Sequence, residues 1–185
     1  MSDMIIDCII GIDPGASGGI VTWRPNEVAK AIKMPKDLNA LADYLKYVKS
    51  VSHPLVFLEK LSVRPDDVVA DGTGANMGKL YRIQKMLQNF EHLKAILTVS
   101  GVPFVMVHPM KWQNELKLRV KGSSEDKAQR KRRYRDLAGQ LYPEIKSALW
   151  SADATLIMHF GRCILQRDPE WVKQNLPSAA HNSLF

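Results

Sequence analysis

The sequence predicts an α/β fold: a mixed five-stranded sheet with helices on both faces. Three observations predict it. Short runs rich in Ile, Val and Phe, bounded by Gly or Pro, are interleaved with longer stretches of helical period. Their order is three strands, helix, strand, helix, strand, helices. Hairpin-linked strands pair antiparallel and helix-linked strands pair parallel, so both pairings are expected in one sheet. The chain has 185 residues, 45% of them hydrophobic, which suits one sizeable core and leaves no room for two large ones.

The elements follow in order. Residues 4–12 are Ile-rich and short on breakers, and read as a buried strand. Gly15, Gly18 and Gly19 supply a tight turn. Gly19–Trp23 and residues 27–34 then form two strands around Arg24-Pro25-Asn26. Pro35 breaks the run, and Leu38, Leu41, Leu45 and Val48 recur at helical spacing. Pro54 precedes Leu55-Val56-Phe57-Leu58, a short buried strand with Glu59 at its tip. Residues 61–78 contain Asp66, Asp67, Gly72, Gly74 and Gly78, and read as a surface loop opening into a helix from about 77 to 100. Leu80, Ile83, Leu87, Phe90 and Leu93 mark its apolar side. Gly101 ends that helix, and residues 103–107 form the fifth strand. His108-Pro109 opens a short helical segment, since Pro is tolerated in a first helical turn. Residues 117–127 read as a polar, basic loop. Residues 126–142 form a very basic helix that Pro143 stops, and residues 147–165 form a last helix. Residues 1–167 thus make one domain, with 168–185 as a loose tail.

Composition narrows the function classes. Lys plus Arg exceed Asp plus Glu, for a net charge of +7 and a pI near 9.4, which favours a polyanionic partner. Cys8 and Cys163 lie far apart, which disfavours a disulfide scaffold or a cysteine zinc site. The first residues, MSDMIIDCII, have no basic lead and run into GIDPG, so they read as a strand and not as a signal peptide. No stretch is apolar enough to span a membrane, and a cytoplasmic location is expected, bacterial or in a host cell. GIDPG resembles the first phosphate loop of sugar kinases and actin-like proteins, but the chain has no room for their duplicated domains.

The most informative residues are three acids. Asp13 follows IIGI and Glu59 follows VFL, so each stands where a buried strand ends. A strand end brings a carboxylate to the rim of the sheet without burying an unpaired charge. Asp153, near the start of the last helix, is placed to approach the same rim. Clustered carboxylates raise one another's pKa, and a divalent cation removes that cost. Mg²⁺, with Mn²⁺ as a substitute, accepts such oxygens and leaves positions for water and phosphate. Two such ions could activate water on one side of a phosphodiester and stabilise the leaving oxygen on the other. Simpler roles are also open: Asp13 before Pro14-Gly15 suits a turn, Glu59 suits a solvated strand end, and Asp153 suits a helix cap.

In order and spacing, the motifs resemble a known family. They are I-G-I-D-P-G at the first strand, F-L-E at the fourth, the stretch from Gly74 through Gly78 into a long helix, V-H-P-x-K-W after the fifth strand, G-S-S-E-D-K before the basic helix, and A-D-A near the last helix. The chain resembles the bacteriophage-type RuvC-like Holliday junction resolvases of the ribonuclease H-like superfamily, from about residue 4 to 165. The resemblance implies a ribonuclease H-like sheet and a Mg²⁺-dependent endonuclease that cuts branched DNA, above all four-way junctions, as a homodimer. It makes Asp13, Glu59 and Asp153 metal ligands and Lys127 a catalytic basic residue near the scissile phosphate, positioning the substrate or offsetting developing charge. It brings the loop from Asp71 to Lys79 to the junction. One departure stands out. The family usually carries a fourth acid about one helical turn before the last one, and here that residue is Trp150. Glu144 is the nearest upstream carboxylate and is the candidate to fill the gap. A catalytically impaired branched-DNA-binding protein, or a nuclease directed at flaps or RNA, is the alternative.

Positions 111–146 carry a dense run of Lys and Arg with few acids. Such a surface neutralises several phosphates while carrying little base information, which suits recognition of shape. Lys111, Lys121, Lys127, Arg130 and Lys131 from this run, with Lys79 and Arg82 from the long helix, are the expected DNA contacts. Trp112 is expected to pack on the sheet, and His108 to serve as loop or cap.

Overall fold

The structure, a computed structural model, describes residues 6–15, 17–61, 63, 77–119, 125–146 and 148–177. Five strands, β1 (Cys8–Ile12), β2 (Gly19–Trp23), β3 (Lys30–Lys33), β4 (Pro54–Glu59) and β5 (Phe104–Val107), form one sheet of order β3-β2-β1-β4-β5. β1, β2 and β3 pair antiparallel, as hairpin-linked strands do, while β1, β4 and β5 pair parallel. The helices are α1 (Leu38–Val51), α2 (Met77–Val99), α3 (Pro109–Glu115), α4 (Lys127–Leu141), α5 (Leu149–Arg167) and α6 (Pro169–Asn175). The predicted mixed sheet is present. β3 is shorter than the predicted 27–34: the turn at Asn26, with a positive φ of 62°, takes in Glu27, whose N–H donates to the Arg24 carbonyl, and the ladder with β2 runs only from Lys30 to Lys33.

Alternation along the strands divides the core between two faces. Ile10, Ile12, Val56 and Leu58 point to one face and pack with Leu41 and Leu45 of α1 and Phe90 and Leu93 of α2. Ile9, Leu55, Phe57 and Val105 point to the other and pack with α5, Trp112 of α3 and Tyr134 of α4. Helix α5 is buried along most of its length, which explains why its sequence is apolar nearly all round.

Two glycines let α5 lie close to the sheet. A Cβ on Gly11 of β1 would stand 2.2 Å from the Ala154 carbonyl oxygen and 2.4 Å from the Met158 nitrogen. A Cβ on Gly161 of α5 would stand 2.4 Å from the Phe57 ring of β4. The chain past α5 corrects the expectation of a loose tail that begins at 168. Asp168 caps α6 by accepting from Trp171 N at 3.0 Å, Pro169 opens the helix, and Val172 is fully buried. Trp171 meets Phe160 edge-on at 6.1 Å, so α6 belongs to the core around α5.

Candidate metal and DNA site

Strand register builds the site. Ile12 of β1 pairs with Leu58 of β4 in parallel, so the next residues, Asp13 just past β1 and Glu59 at the end of β4, stand side by side. Neighbouring strands are about 4.8 Å apart. Ile12 and Leu58 face α1 and α2, and alternation therefore turns Asp13 and Glu59 toward α5. Asp153, five residues into α5, meets them there and is only 8% exposed.

Each acid is held by a different donor. Asp13 Oδ1 accepts from Gly15 N at 3.1 Å, so the turn reading of Asp13 holds together with its place in the cluster. Glu59 Oε1 accepts from Trp112 Nε1 at 2.9 Å. Asp153 Oδ2 is hydrogen-bonded to the Lys131 ammonium, while Asp153 Oδ1 is buried with no partner. Burial pushes the Asp13 carboxyl up, with the Asp153 charge adding to it. Burial, then the Asp13 charge, raises Glu59 to about 7, against the lowering effect of the Trp112 hydrogen bond. Lys131 feels all three carboxylates, and they outweigh the downward pull of burial on its ammonium.

These donors fit a hard divalent cation in kind: all are carboxylate oxygens, and one is buried and unsatisfied. They do not yet close around one. Among the described residues, no three carboxylate, imidazole or thiol groups stand near enough to share an ion. The positive charge among the three acids is supplied by Lys131.

The other predicted residues are distributed as follows. Lys131 and Arg130 line a cleft of about 510 Å³ with Glu59, Asp153, His108, Arg119 and Tyr134. Lys127 stands exposed at the first position of α4, one turn before Lys131, and the lysine that meets the carboxylates is Lys131. Glu144 does not join the acids. It is exposed in the turn after α4, its charge acts on Tyr142, and it does not line the cleft. Lys79 and Arg82 lie in the first turns of α2, and the Lys111 ammonium lies 5.0 Å from the centre of the Trp171 ring. Lys121, Asp66, Asp67 and most of the loop from Asp71 to Lys79 lie outside the described residues. Trp150 lies against β2: a Cβ on Gly19 would stand 2.8 Å from its ring. An indole thus fills the place of the fourth acid and supplies no oxygen.

Two contributors were not read from the sequence as site residues. Trp112 is 1% exposed, as expected of a residue packed on the sheet, but it also holds Glu59. A buried indole N–H needs an acceptor, and that need was the available signal in V-H-P-x-K-W. Arg119 lines the cleft from the end of the segment after α3. His108 caps α3 by accepting from Met110 N at 3.3 Å, as predicted.

The raised carboxyl of Glu59 has a consequence for stability. It binds its proton more tightly folded, near 7, than unfolded, near 4.5. Stability is therefore full below pH 4.5 and falls as pH rises through 7, by up to about 3 kcal/mol. Without divalent cations, the melting temperature is expected to drop from pH 5 to pH 7.5. Added Mg²⁺ is expected to restore it. A flat profile in EDTA would contradict a desolvated Glu59.

No protein-family model matches this sequence, and no curated protein matches it. Solved structures do. The RuvC structure of Thermus thermophilus aligns with a TM-score of 0.51 and 15% identity, covering 86% of this chain and 96% of that one. T. thermophilus RuvC in complex with a Holliday junction substrate aligns with a TM-score of 0.52 and 14% identity, covering 88% and 96%. The likeness is one of fold: a RuvC-type, ribonuclease H-like arrangement of sheet and helices.

Proposed function

We propose that this chain is a Mg²⁺-dependent endonuclease that cuts branched DNA, with the four-way junction as its main substrate. The observation that carries the proposal is the meeting of Asp13, Glu59 and Asp153 at one rim of the sheet, beside a cleft edged by Arg119, Arg130 and Lys131. A small negative centre inside a basic surface is what metal-assisted attack on a phosphodiester requires. The ion, when bound, supplies Lewis-acid polarisation of the phosphodiester. The chain's own groups do the rest. Gly15 N–H and Trp112 Nε1–H fix the orientation of two carboxylates, and burial keeps competing water away. Arg130, with Lys127 exposed one turn along the same helix, holds the DNA backbone. Lys79, Arg82, Lys111 and Lys121 are further proposed contacts to DNA phosphates. The two free cysteines suit a reducing, cytoplasmic setting, and no helix among the described residues is long and apolar enough to cross a membrane.

A homodimer is part of the proposal. Residues 77–89 of α2 bury no side chain, although Leu80, Ile83 and Leu87 recur on one side. Met77 and Tyr81 there are 72% and 61% exposed. A partly exposed apolar stripe on a long helix suits pairing with a second copy.

The Lys131–Asp153 pair and Trp150 favour a second reading, a branched-DNA-binding protein without cleavage. One assay separates them. Labelled four-way junction, flap, duplex and RNA hybrid are incubated with Mg²⁺, Mn²⁺ or EDTA. Paired, metal-dependent nicks at the junction support the nuclease. Tight junction binding without cleavage under either metal supports the second reading, and preference for flap or hybrid redirects the substrate.

Arg130→Ala is expected to weaken junction binding to a similar degree across DNA sequences. It should also reduce the slope of log affinity against log salt by about one. Titrations at several salt concentrations test this, and an unchanged slope removes Arg130 from the interface.

A further inference from the structure

The cleft beside Glu59 and Asp153 holds about 510 Å³, a volume that suits one small organic group. Helix α3 contributes Pro109, Met110 and Gln113 to its lining, and α4 contributes Arg130 and Tyr134. The cleft reaches into the core: Tyr134 and Leu118, which also line it, are 3% and 4% exposed, whereas Met110 is 45% exposed. Arg133 of α4 ties the segment after α3 to its own helix. Its Nη2 donates to the Leu118 carbonyl at 2.9 Å, and its Nε and Nη2 donate to the Glu125 carboxylate at 2.8 and 2.7 Å.

We infer that this cleft is a subsite for one unstacked nucleotide next to the cut phosphate, and that the need to fill it favours branched DNA over duplex. The inference rests on the DNA-cleaving reading above and concerns the base, to which that reading assigns no contact.

The lining has the chemistry of a base site. Its acids are already engaged: Glu125 by Arg133, Asp153 by Lys131 and Glu59 by Trp112. Among the described residues, Arg119 and Arg130 form no ion pair, which leaves their donors for a ligand. His108 Nδ1 accepts from Met110 N, so a neutral ring carries its proton on Nε2 and offers a further donor. Gln113 adds a half-buried amide, and Pro109, Met110 and Leu118 add apolar surface for the faces of a flat ring. Apolar walls with a few polar groups suit a planar base, whereas a backbone phosphate needs only cations and donors. With Arg130 on the phosphate, Arg119 is left to meet the base, and a guanidinium matches the O6 and N7 acceptors of guanine with two donors. A base inside a duplex is stacked on both faces and cannot enter such a cleft. Extruding one costs least where pairing is already interrupted, as at a branch.

Four-way junctions carrying 2-aminopurine at single positions around the branch test this, with the full-length protein in EDTA. At one position the fluorescence is expected to rise at least about threefold as the base leaves its stack, while the same probe in linear duplex stays dark. Gln113→Ala and Met110→Ala are expected to bind the junction within about twofold of the wild type, since they touch no phosphate, and to lose the rise. Guanine at the bright position is expected to bind at least about fivefold more tightly than cytosine, and Arg119→Ala to remove the difference. A junction bound with no brightening at any position overturns the inference and leaves the DNA-cleaving reading intact, as does a rise that persists in both variants. Equal affinity for all four bases overturns the role given to Arg119. A protein that neither binds nor cuts the junction overturns both the inference and the reading beneath it. A wild-type rise joined to a guanine preference supports the subsite even where one variant fails to fold.

Discussion

Asp13→Asn is expected to remove junction cleavage, by about 10³-fold or more, while junction binding and the folded state persist. The size follows from the role. Loss of one carboxylate proposed to anchor the ion forfeits about 4 kcal/mol of transition-state stabilisation. Persistence follows from the local structure. The hydrogen bond from Gly15 N to Oδ1, 3.1 Å long, needs only a carbonyl-type oxygen, and asparagine retains one. Asparagine also carries no charge at a position where burial and Asp153 already push the carboxyl toward its neutral form. Without metal the variant should therefore melt no lower than the wild type. Its Mn²⁺ affinity should fall with its activity. Cleavage at the wild-type rate would remove Asp13 from the site, and a loss of folding would show that its main role is the turn.

How far this site could be read in advance varied with the kind of signal. Asp13 and Glu59 were legible because each follows a short apolar run and precedes a breaker or a charge, so one dimension is enough to place them at strand ends. Register then sets them side by side, and register follows from which residues face the core. Lys131 was legible as a basic residue and not as the partner of Asp153. A helix as charged as α4 carries little periodic contrast, and only packing shows that Lys131, Tyr134 and Ala138 share its inner stripe. Lys127 begins that stripe but lies exposed at the end of the helix. Helix α6 was missed for a related reason. Asp168-Pro169 is a good helix start, yet seven residues of mixed character give no period. Its stability comes from burying Val172 and packing Trp171 on Phe160, contacts set by the position of α5. Trp150 was conspicuous as a missing acid, but its contact with Gly19 is a tertiary fact.

The second large effect is expected at a residue with no functional group. Gly11→Ala should destabilise the protein by about 3 kcal/mol, lowering its melting temperature by roughly 10 °C. The added methyl would stand 2.2 Å from the Ala154 carbonyl oxygen and 2.4 Å from the Met158 nitrogen, both backbone atoms of α5. Backbone atoms cannot rotate away, so the helix itself must move off the sheet. Asp153 directly precedes Ala154 and moves with it, away from Asp13 and Glu59 on the strand ends. Gly11→Ala should therefore weaken Mn²⁺ binding as well as stability. Gly161→Ala separates the two effects. Its methyl meets the Phe57 ring at 2.4 Å, about two helical turns past Asp153, where a side chain can yield. That variant should lose stability and keep its Mn²⁺ affinity. Equal losses of affinity in both would mean that general loosening governs the site. Loss in Gly11→Ala alone ties the carboxylate cluster to the contact between one glycine and one helix.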